Sequence, residues 1–139
     1  VIFVATAGHE LGFMGIEELL KERPELAQAH AWIHLGASVG AAFEPTLGLR
    51  ASGPALLDLA ASALVRNVAP PLTIYPVGSP PTGEAVNVAR RGGRYISLAG
   101  GHAYFHTPED RVDKVSAEAT AQYAASVAEM ALMLIRGEA

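Results

Sequence analysis

The chain has 139 residues, half of them hydrophobic and 17% charged, with a net charge of −4. That balance excludes a disordered chain and supplies one core, so residues 1–139 are expected to belong to a single domain. Arg90-Arg91 is the only adjacent basic pair and no basic stripe exists, so a nucleic-acid partner is not expected. Cysteine is absent, which rules out a disulfide framework and a thiolate zinc site. The most apolar window, near 124–135, is interrupted by Glu129, and no membrane-spanning segment is expected. The start at Val1, inside an apolar run, is what a start point internal to a longer protein would give.

Val1 to Ala5 is a continuous apolar run closed by Thr6-Ala7-Gly8, which predicts a strand buried on both faces. Phe13, Ile16, Leu19 and Leu20 then fall at helical spacing, and Pro24 ends that helix. Strands are predicted over 31–35 and 47–51. Ser52-Gly53-Pro54 opens a helix with Leu57, Ala60, Ala61 and Leu64 on one face. A strand over 72–77, a turn-rich stretch and a short helix over 84–90 follow. A strand over 95–99 leads into a loop over 100–115. The last element is a long helix from Ser116, with Tyr123, Val127, Met130 and Leu134 repeating every three or four residues. The alternation of strands and helices predicts an α/β fold, a three-layer α-β-α sandwich around a mostly parallel or mixed sheet.

In such sheets ligands gather beyond the C-terminal ends of strands. Three polar groups of residues fall at predicted strand ends: His9-Glu10, His34 to Ser38, and His102 to Asp110. Glu10 is an oxygen donor suited to zinc, but local sequence alone favours a simpler role, an acid capping a helix N-terminus. Phe13 stands where a His-Glu-x-x-His motif needs its second histidine. Gly36-Ala37-Ser38-Val39-Gly40 matches the G-x-S-x-G pattern of serine hydrolases. That pattern needs a helix directly behind the serine, and Pro45 follows too soon to allow one.

Taken together, three segments carry a resemblance. The opening Val1-Ile2-Phe3-Val4-Ala5-Thr6-Ala7-Gly8-His9-Glu10-Leu11-Gly12-Phe13-Met14-Gly15, the segment Gly83-Glu84-Ala85, and Tyr104-Phe105-His106-Thr107-Pro108-Glu109-Asp110 with the long helix behind it resemble the aminopeptidase Y family of co-catalytic zinc exopeptidases, metallopeptidase family twenty-eight. The resemblance implies a zinc-exopeptidase-like fold, up to two zinc ions as cofactors, and removal of N-terminal residues from a peptide or small amide substrate. By the same resemblance Glu10 matches a glutamate ligand and His106 the final histidine ligand, while a first histidine and a bridging aspartate would lie before Val1.

Two positions depart from the family pattern. His9 stands where the family has its general-base glutamate; a histidine can serve as a base near neutral pH. Gly36 stands where the family has its second aspartate and offers no side chain. His34 shares its strand face but sits about 7 Å back, so it would join a metal site only if that site were rebuilt around it. The readings that follow are an aminopeptidase-like metallohydrolase with an altered site, a non-catalytic relative keeping the fold for binding or assembly, and, third, a serine hydrolase using Ser38.

Overall fold

The structure, a computed structural model, describes residues 1–67 and 72–139. Among the described residues four strands form one sheet: β1 (Trp32–Leu35), β2 (Thr46–Ala51), β3 (Leu72–Ile74) and β4 (Tyr95–Gly101). Their order is β1-β4-β2-β3. The β1–β4 and β2–β3 pairs are parallel and the central β2–β4 pair is antiparallel, so the sheet is mixed. Four α-helices among the described residues accompany it: α1 (Met14–Glu22), α2 (Pro54–Asn67), α3 (Ala85–Arg90) and α4 (Ala117–Ile135). None is long and apolar enough to cross a membrane.

Strand side chains alternate between faces, and the register sorts them sharply here. Leu47, Leu49 and Ala51 of β2 lie level with Ile96 and Leu98 of β4 on one face. They are buried against Leu56, Leu59, Ala60, Ala63 and Leu64 of α2 and against Tyr123 and Met130 of α4. Each such leucine stabilises the fold by roughly 1.5–3 kcal/mol relative to exposure. Small residues let the two helices approach: Ala60, Ala63 and Ser126 are all fully buried. Ser116 caps α4 by accepting the Ala119 N–H at 3.1 Å.

The other face carries Trp32 and His34 of β1, level with Tyr95 and Ser97 of β4. Beside them lie Gly48 and Arg50 of β2. Here α1, α3 and the 3-10 helix Pro24–Gln28 make a second, smaller core of Ile16, Leu20, Ala27 and Val88, with Trp32 packed against it. Helices therefore cover both faces, as the three-layer α/β reading requires. The part of this second face left uncovered by α1 and α3 opens into a cleft.

Two expectations are corrected. Val1 to Ala5 is not a buried strand: it has no sheet partner among the described residues, and Val1 and Phe3 are 87% and 93% exposed. A strand buried on both faces needs a partner edge, and this segment pairs with neither edge strand, β1 or β3. The segment is tied down at its end, where the Gly15 N–H donates to the Ala7 carbonyl at 2.9 Å. The buried stripe of α2 is also rotated. Leu56, Leu59 and Ala63 join Ala60 and Leu64 inside, with Leu57 and Ala61 at the rim. Asp58 is the only charged residue from Pro54 to Val65, so apolar spacing alone could not fix that helix's orientation.

Candidate functional site

A cleft of about 390 Å³ opens over the polar face of the sheet, between the C-terminal ends of β1 and β4 and the start of β2. His9, His34, Glu84 and His106, from four separate parts of the chain, all line it.

His9 and Glu10 sit on a single 3-10 turn, His9–Leu11. Gly8 and Gly12 flank it at φ 73° and 80°, a backbone region glycine enters freely. The turn is closed by hydrogen bonds from Leu11 to Gly8 at 3.0 Å and from Phe13 to His9 at 3.2 Å. The His9 ring meets Phe13 edge-on, with centroids 5.0 Å apart. Glu10 caps no helix. Its Oε1 lies 3.1 Å from His106 Nε2 instead, and both side chains are mostly exposed. His106 reaches it from a left-handed backbone, φ 61°, with Phe105 stacked on its ring at 3.8 Å. That loop is braced by the Thr107 hydroxyl, which donates to the Tyr104 carbonyl at 2.6 Å. His102 is turned away into a contact with Asp110 at 3.5 Å.

A second cluster is built around Glu84, at the start of α3. Glu84 Oε1 lies 2.9 Å from His9 Nδ1, and Oε2 lies 3.4 Å from His34 Nε2. His34 Nδ1 is 2.9 Å from the Ser97 hydroxyl, its level partner across β1 and β4. The result is a continuous polar chain, His9–Glu84–His34–Ser97, running from the cleft rim to the sheet. Burial pushes the His34 pKa below its ordinary 6.5, against the opposing pull of Glu84. Burial alone would raise Glu84, but the His9 hydrogen bond, the backbone N–H and the two imidazoles outweigh it and leave its pKa lowered. Glu84 is therefore ionised at neutral pH and His34 neutral. With an anion facing its Nε2, His34 carries its proton there, and Nδ1 accepts the Ser97 hydroxyl.

Zinc sites use three or four protein ligands. Among the described residues no group of three His, Cys, Asp or Glu side chains could hold a metal ion. Glu10 and His106 are a pair, and His34 is engaged by Glu84 and Ser97 rather than turned toward them. Gly36 has no side chain to donate, and a Cβ there would stand 2.8 Å from the Ala99 Cβ. The donors of this chain do not by themselves fit a zinc ion.

Ser38 is no exposed nucleophile. It is 5% exposed, its hydroxyl donates to the Thr46 carbonyl at 2.5 Å, and a turn rather than a helix follows it. Two cleft residues were not singled out from the sequence for any role. Glu84 is the lone acid between Asp58 and Glu109, the one available signal. Arg50 carried none, since its place on the cleft face is set by the antiparallel β2–β4 register.

No known protein family and no curated protein matches the sequence. Solved structures do match in fold. The glutaminyl cyclase of an Acidobacteriales bacterium is 20% identical with a TM-score of 0.64, over 88% of this chain and 45% of that one. The aminopeptidase from Aneurinibacillus sp. strain AM-1 is 18% identical with a TM-score of 0.65, over 92% of this chain and 31% of that one. The chain thus spans less than half the length of either. At these identities the likeness is one of fold: a mixed α/β sheet with helices, shared with an aminopeptidase and a glutaminyl cyclase.

Proposed function

We propose that this chain is part of an aminopeptidase-like hydrolase that removes N-terminal residues from peptides, with His9 as general base. The observation that carries the reading is the meeting of the His9–Glu84 pair and His106 at one cleft, with Glu10 held against His106. A cleft of about 390 Å³ suits the first residues of a peptide, since small-molecule sites span ≈ 300–1,000 Å³.

The chemistry of the chain's own residues follows from the tautomers. Ionised Glu84 accepts the Nδ1–H of His9, which leaves the His9 Nε2 lone pair free to take a proton from an attacking water. Glu84 orients that imidazole and stabilises the imidazolium once the proton arrives, as the third member of a nucleophile–base–orienter set does. Neutral His34, held between Glu84 and Ser97, fixes the carboxylate in turn. Glu10 and His106 are the proposed metal-ligand positions. Zinc, the cofactor that the resemblance implies, would require at least one further donor from outside these residues.

The test is a panel of short peptides incubated with the native protein and followed by mass spectrometry. Loss of the N-terminal residue supports the reading. Loss of ammonia from peptides beginning with glutamine, with no residue removed, would replace it with a cyclase. An unchanged panel would favour a non-catalytic protein.

A further inference from the structure

We infer that Arg50 forms an anion subsite in this cleft, one that receives a free carboxylate of the substrate. The inference rests on the peptidase-like reading for its substrate but not for its binding chemistry. Among the described residues Arg50 is the only Lys or Arg lining the cleft, and Glu84 the only acid. Glu84 is already engaged by His9 and His34. Arg50 forms no ion pair with any Asp or Glu among the described residues. A half-buried permanent cation in a concave site, without a counter-charge, favours an anionic visitor.

The local geometry prepares the guanidinium for that role. Its carbon lies 3.6 Å from the centroid of the Tyr75 ring, so the two planes form a cation–π pair within the cleft wall. Gly48 provides the room. A Cβ there would come within 2.8 Å of Arg50 Nη1 and 2.9 Å of Tyr75 Cε2. Stacking fixes the plane of the fork, and a fixed planar fork binds a carboxylate through two parallel N–H bonds at little further entropic cost. Arg50 lies level with Ser97 on the adjacent strand, so the subsite shares one sheet face with the His34–Ser97 contact. A peptide with its reacting end beside His9 could then place a carboxylate on Arg50, and the cleft would prefer short acidic or short free-carboxyl peptides.

Binding, not turnover, decides the matter, so the result is independent of whether the protein is a hydrolase. The native protein, and its Arg50→Lys and Arg50→Met variants, would be titrated by ligand-observed NMR with N-acetylglycine, N-acetylglycinamide and inorganic phosphate. The inference requires N-acetylglycine to bind saturably and roughly tenfold more tightly than its neutral amide, as a charge-assisted bidentate contact implies. Arg50→Met should abolish that preference, and Arg50→Lys should weaken it several-fold, since Lys keeps the charge but loses the fork. Should Arg50→Met not fold, the acid–amide comparison and Arg50→Lys still decide. Equal binding of acid and amide, native-like binding by a folded variant, or tighter binding of phosphate than of carboxylate would each overturn the assignment.

Discussion

Glu10 Oε1 and His106 Nε2 stand 3.1 Å apart, although one belongs to the first turn of the chain and the other to the loop after its last strand. The contact contributes little to folding. Both side chains are more than half exposed, and exposed ion pairs are worth roughly 0–1 kcal/mol. A double-mutant cycle of Glu10→Gln and His106→Ala, followed by urea unfolding, should give a coupling energy below about 1 kcal/mol. Appreciably stronger coupling would make the pair structural and remove the reason to assign it a role in chemistry.

His9 and Glu84 are expected to act together. His9→Ala should lower kcat about 10²-fold or more, the usual worth of a general base. Glu84→Gln should lower it as well, because an amide cannot offset the positive charge that His9 gains on taking the proton. The two losses should not add, since the residues work as a unit. Additive losses in steady-state kinetics would show that Glu84 acts independently of His9.

The pH dependence of stability has a defined sign. The His34 pKa is lowered in the fold by burial, so between its ordinary 6.5 and its folded value the unfolded chain binds the extra proton. Stability is then complete above 6.5 and falls as the pH drops through that window. Glu84, also lowered, adds a second loss below its ordinary 4.5. Chemical denaturation at stepped pH should show the first loss in the native protein and not in His34→Gln. A His34→Gln curve parallel to the native one from pH 7 to 5 would assign the acid sensitivity elsewhere.

Gly36 reads differently once packing is known. An aspartate at this position would fill a family ligand position on sequence grounds, but the Ala99 Cβ leaves no room even for a methyl group. Gly36→Ala should destabilise by about 1–3 kcal/mol, the usual cost of overpacking. Adding Ala99→Gly should recover much of that loss. Thermal melts showing Gly36→Ala at native stability would mean that the strand end relaxes easily and that an aspartate could be accommodated there.

The fold was legible wherever a single periodicity was enforced by burial. The strands at 32–35, 46–51 and 95–101 and the four helices lie within a few residues of their expected places. The apolar run at Val1 to Ala5 misled because a strand is defined by a partner edge, which composition does not encode. Glu10 and His106 were legible only through resemblance; in isolation each looked like a cap or a loop residue. Glu84 and Arg50 were invisible as site residues because their roles depend on contacts across the fold. Glu84 bridges two histidines distant in sequence, and Arg50 owes its position to an antiparallel pairing that strand–helix alternation does not specify.

The most direct test of the account is the metal content and aminopeptidase rate of the native protein, purified without chelator, alongside Glu10→Gln and His106→Ala. The account predicts N-terminal residue release in the native protein, with the rate falling in each variant while the fold persists, and bound zinc only where a donor beyond these residues completes the site. Native protein that leaves peptides intact, or variants that keep the full rate, would contradict it.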